Sequence, residues 1–67
     1  MSFLSREEVL SIREKYEGKQ VHVIINDPYR YIDEVGTVTR VDDAGQLHGT
    51  WGGLAAVPGE DSIQLMQ

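Results

Sequence analysis

The run VDDAGQLHGTWGG, residues 41–53, concentrates groups that could carry chemistry: adjacent carboxylates Asp42 and Asp43, His48, and the lone tryptophan Trp51. Paired carboxylates can ligate a divalent cation, and a histidine can add a nitrogen ligand or move a proton. The spacing supports neither use. A helix–loop–helix calcium site needs alternating oxygen ligands, a central glycine and a closing glutamate, and DDAGQLH has no such order. The run reads instead as a turn, in which Asp42 or Asp43 accepts from a nearby backbone N–H and Gly45 takes φ > 0 to form a bulge. His22 and His48 fall on separate strands, outward by alternation, without the HxxxH or HExxH spacing of a metal site. There is no cysteine, and Ser2, Ser5, Ser11 and Ser62 assemble no nucleophilic triad with the histidines. No catalytic residue, metal ligand or cofactor is expected, and the chain reads as a non-enzyme.

Recognition chemistry is better supplied. The segment NDPYRYIDE (26–34) carries Pro28, Tyr29, Arg30 and Tyr31, and the two tyrosines share one side if the segment is extended. Aromatic faces around an arginine suit a partner-binding surface, although tyrosines in such a loop can also fold back over an open end of the fold. Trp51 joins that candidate surface if its indole edge lies at the rim. By alternation with Leu47 and Gly49 it plugs the core instead. The charged helix residues Arg6, Glu7, Arg13, Glu14, Lys15 and Glu17 mix both signs and read as a solvated face.

The elements that must position these residues are one helix and several short strands. LSREEV (4–9) is a helix start: Ser5 as N-cap, Glu8 completing a capping box, and Leu4 with Val9 as a hydrophobic staple. Val9, Ile12 and Tyr16 give one apolar stripe, and Gly18 ends a helix expected over about residues 6–17. The period then switches to two. VHVII (21–25) places Val21, Val23 and Ile25 on one face. NDPYRYIDE breaks the pattern into a long connection, since Pro28 removes a donor and Asn26 and Asp27 favour turns. Further strands are expected at VGTVTRV (35–41, bulged at Gly36), QLHGTW (46–51), LAAV (54–57) and IQLM (63–66), with Gly52-Gly53 as a two-residue hairpin loop and PGEDS as a turn. The sum is a mainly β fold, a small five-stranded antiparallel SH3-like barrel over residues 20–66, capped by a helix within 5–18.

At 67 residues the chain reads as a single domain, 1–67, with little core to spare. Its net charge of −5 is unevenly placed. Residues 1–19 balance Arg6, Arg13, Lys15 and Lys19 against Glu7, Glu8, Glu14 and Glu17. The remainder sets Arg30 and Arg40 against Asp27, Asp33, Glu34, Asp42, Asp43, Glu60 and Asp61. That sign opposes binding to nucleic acid by counterion release. No apolar run approaches the roughly 18 residues of a membrane span, and the N-terminus lacks a signal-peptide core, so a cytoplasmic location is expected.

The segments SREEVLSIREKY, NDPY, VGTVTRVDDAGQLH, the tryptophan before the glycines and VPGEDS together resemble a family of short bacterial, phage and mobile-element proteins, domain of unknown function 4314. The resemblance covers most of the chain. It departs at Gly49, where members typically carry a β-branched residue, and at Gly52-Gly53, where they carry an acidic-Asn-Gly turn. The G-x-V-x-x-V run Gly36–Val41 is also similar to KOW/SH3-like barrels of ribosomal and transcription proteins, an analogy of fold alone. What the resemblance and the residues jointly imply is a non-catalytic interaction module in a phage or mobile-element context. It would bind an unidentified protein partner through Pro28, Tyr29, Arg30, Tyr31 and Trp51. The rivals are a KOW-like nucleic-acid-binding module and an acidic inhibitor that mimics nucleic acid.

Overall fold

The computed structural model describes residues 4–66; Ser2 lies outside them. Helix α1 (Arg6–Tyr16) precedes strands β1 (Gln20–Asp27), β2 (Arg30–Val41), β3 (Leu47–Gly49) and β4 (Ser62–Leu65). The strands form one antiparallel sheet in the order β3-β2-β1-β4.

The helix begins as its sequence dictates. The Ser5 hydroxyl accepts from the Glu8 N–H and the Glu8 carboxylate accepts from the Ser5 N–H, both at 3.1 Å, which satisfies two orphan donors of the first turn. It ends at Gly18, whose φ of +77° costs a residue without a Cβ little. Val9 and Tyr16 are buried and Ile12 packs against the core, so the expected stripe faces the sheet.

In β1 the period of two holds: Val21, Val23 and Ile25 are buried. The expected long connection after it does not exist. β1 runs on to Asp27, which pairs with Arg30, and Pro28-Tyr29 make a two-residue turn. Asp27 Oδ1 accepts the Tyr29 N–H at 2.9 Å. No residue but glycine has positive φ, so the turn has type I geometry with proline at its favoured second position. There the missing donor costs the ladder nothing.

The sheet has four strands where five were expected, and it is open: β3 and β4 lie at opposite edges. The 54–57 segment is not a strand. Its Ala56 alone bridges Leu47, exchanging hydrogen bonds of 2.8 and 2.9 Å. Gly52-Gly53 form no hairpin loop, because the indole N–H of Trp51 donates to the Leu54 carbonyl at 2.8 Å and ties the chain into a local loop. The expected bulge at Gly36 lies instead between Val38 and Arg40. Gly36 is there for space: a Cβ on it would sit 2.7 Å from Thr50 Oγ1 and 3.2 Å from Trp51 Cε3. The last strand forms where IQLM was expected, shifted by one residue, with Leu65 paired to Val21.

The core lies on one face of the sheet, around Val21, Val23, Val38, Leu47, Ala56 and Trp51. α1 covers the half near Val38 and Val41, and the 50–57 loop covers the half near Gly36 and Ile32. Among the described residues no helix is long and apolar enough to cross a membrane.

Candidate functional site

The β1–β2 turn carries four of the candidate binding residues to one end of the sheet. Pro28 and Tyr29 are its two loop residues, and Arg30 and Tyr31 open β2. Tyr29 is 94% exposed and Tyr31 63%, so neither folds back over the core. Tyr31 pairs with Asn26 on the face of the sheet opposite the core, while Tyr29 stands at the turn tip. Arg30 is exposed and makes no ion pair among the described residues. Its guanidinium lies along the Gly52-Gly53 backbone, within van der Waals reach of where side chains would begin. A tight ladder-anchored turn thus presents two aromatic rings and an unpaired fork of donors to solvent.

Trp51 is not part of this surface. It is 3% exposed, enclosed with Leu47 and Ala56, and its only polar atom is spent on Leu54. Of its two readings the core one holds. The space left by Gly49 is occupied by the indole itself, since a Cβ there would overlap the six-membered ring and come within 2.5 Å of the Thr37 carbonyl.

Both histidines have partners that alternation did not reveal. His48 Nε2 lies 2.8 Å from Asp42 Oδ2, and His22 Nε2 lies 2.5 Å from Asp33 Oδ1 across β1 and β2. Asp42 also accepts the N–H groups of Ala44 (3.0 Å) and Gln46 (2.9 Å), the turn role expected of it, with Gly45 at φ +80°. Burial alone would raise the Asp42 carboxyl. The hydrogen bonds from His48, Gln46 and Ala44, with the charge of His48, outweigh it and hold the group below the usual carboxylate range. These are two-member His–Asp pairs. Among the described residues no hydroxyl bonds either imidazole, and no three His, Asp or Glu side chains converge as a cation site would require.

Two residues of the supposedly solvated helix face have a defined task. Arg13 Nε donates to the Val41 carbonyl at 3.1 Å and Glu17 Oε2 accepts the Val41 N–H at 3.0 Å. Arg13 also reaches Asp43 Oδ1 at 3.1 Å. An i, i+4 pair of opposite charge was visible in the sequence, but nothing local pointed to a strand end 28 and 24 residues away. Beside it, Leu4, Arg6, Val9, Leu10, Arg13 and Asp43 line a shallow groove.

Comparison with known proteins returns one family. The family model described as "Domain of unknown function (DUF4314)" matches residues 5–66, nearly the whole chain. No curated protein and no solved structure matches.

Proposed function

The chain belongs to the DUF4314 family, and we propose that it is a non-catalytic protein-binding module that acts through its β1–β2 turn in a phage or mobile-element setting. The observation behind this reading is an exposed, unpaired Arg30 held between the exposed rings of Tyr29 and Tyr31. Tyrosine and arginine dominate the energetics of interfaces because each offers a large contact area together with hydrogen bonding. In a chain of net charge −5, a lone outward cation is also a marker of orientation for an acidic group on the partner. The SH3-like comparison stays within the proposal at the level of fold, since β2 is long, bulged near Thr39 and shared between β1 and β3.

The test is capture of partners from host lysate by wild type and by a Tyr29→Ala/Tyr31→Ala variant. Both side chains are exposed, so stability should change by no more than about 0.5 kcal/mol. A partner retained by wild type and lost by the variant supports the turn as the surface; equal retention removes it. The same Tyr-Arg-Tyr run could stack single-stranded bases, which is the basis of the second reading. The acidity of the sheet region weighs against that. An NMR titration with single-stranded and duplex oligonucleotides at low salt separates the two, because shifts confined to residues 28–31 would favour nucleic acid.

A further inference from the structure

The two edges of the sheet are finished differently. At one edge, Ala56 exchanges both backbone hydrogen bonds with Leu47 and so covers β3. At the other, β4 is bare. The Met66 N–H donates to the Gln20 carbonyl at 2.9 Å, with Gln64 opposite His22 and Ser62 opposite Ile24. Hydrogen-bonded residues alternate along an antiparallel ladder, so Ser62, Gln64 and Met66 turn their backbone groups to β1. Ile63 and Leu65 turn theirs outward, and among the described residues nothing bonds them. β4 also lacks the usual protections of a free edge: Ser62–Leu65 contains no lysine, no proline and no bulge.

We propose that β4 is the pairing edge of a two-fold dimer, in which Ser62–Leu65 of two copies run antiparallel and join their sheets into one. The occupant is a second copy because of charge. Two chains of −5 repel wherever their acidic surfaces meet, and Ser62–Leu65 brings only uncharged side chains together. With Gln64 opposite Gln64 of the second copy, Ile63 and Leu65 each face the other's Leu65 and Ile63 and exchange both backbone bonds. The same register sets Leu65, 42% exposed, against the half-buried Ile63, so the apolar core continues across the two-fold axis. The dimer does not depend on the Tyr29–Tyr31 surface.

Sedimentation velocity from roughly 10 μM to 1 mM tests this. Wild type should shift from monomer to dimer as concentration rises, and at lower concentration in high salt, where the repulsion is screened. The Ile63 and Leu65 amides should gain protection from hydrogen exchange over the same range. Leu65→Pro removes an outward N–H and leaves the bonds of Gln64 and Met66 to β1 intact. Gln64→Glu sets like charges opposite each other from an exposed position, so it keeps the test valid if the proline variant unfolds. Both should be monomeric at every concentration with the wild-type circular dichroism spectrum. A wild type that stays monomeric throughout overturns the proposal, even if an added extended peptide binds β4. So does a dimer that Gln64→Glu leaves intact.

Discussion

Trp51 and Gly49 are interdependent at the scale of single residues, because the ring lies where a side chain on Gly49 would begin. Gly49→Val should therefore cost about 1–3 kcal/mol by overpacking against the indole and the Thr37 carbonyl, read as a fall in thermal midpoint. Trp51→Ala removes the ring and leaves the Leu54 carbonyl without its donor, a loss of about 3–5 kcal/mol. A domain of 67 residues has roughly 3–10 kcal/mol in total, so that variant should show little or no cooperative transition by circular dichroism. Asp42 gives a pH prediction. Its folded-state carboxyl is held below the ordinary value of about 3.9, so the unfolded chain takes up the proton first as pH falls. Its contribution to stability is complete above that value and is lost as pH drops through the lower folded value. Urea denaturation at about pH 5 and about pH 2.5 should show a smaller loss for Asp42→Asn than for wild type.

At the scale of elements, α1 serves β2 as a substitute strand. β1 begins at Gln20, opposite Thr37, so β2 overruns it by several residues whose backbone groups on that side have no strand to pair with. Gly18 and Lys19 take the N–H and carbonyl of Val38, and the side chains of Arg13 and Glu17 take those of Val41. Glu17→Ala should cost about 1–2 kcal/mol by leaving the Val41 N–H without its acceptor, whereas Glu17→Gln keeps an acceptor and most of the stability. Faster exchange of the Val41 amide in Glu17→Ala alone would tie the loss to this bond. The Arg13–Asp43 contact is a different case. Asp43 is fully exposed, so a double-mutant cycle on that pair should give only about 0.2–1 kcal/mol.

For the whole molecule, what could be read from the sequence was what is local in the chain. The Ser5–Glu8 cap, the Gly18 stop, the Asp42–Gly45 turn and the alternation of β1 are settled within a few residues of each other, and each formed as expected. The exposed tyrosines were legible as candidates, though not as the tip of a tight hairpin, because proline was weighed as a strand breaker rather than as a turn former. The 54–57 segment misled because its composition suits a strand while the indole of Trp51 fixes it as a loop. Arg13 and Glu17 were missed because their partner lies far along the chain. That same division predicts how the fold depends on its parts. The core face of the open sheet has two covers, the helix near Val38 and Val41 and the 50–57 loop near Ile32 and Gly36, and so few short strands need such packing to be stable. Deleting residues 4–17 uncovers Val38 and Val41 and strands the Val41 backbone groups, while every strand residue remains. The truncated chain should lose the dispersed amide spectrum of a folded domain. Retention of that dispersion would mean that the loop and Trp51 alone hold the sheet, and that the capped helix is an attachment rather than half of the core.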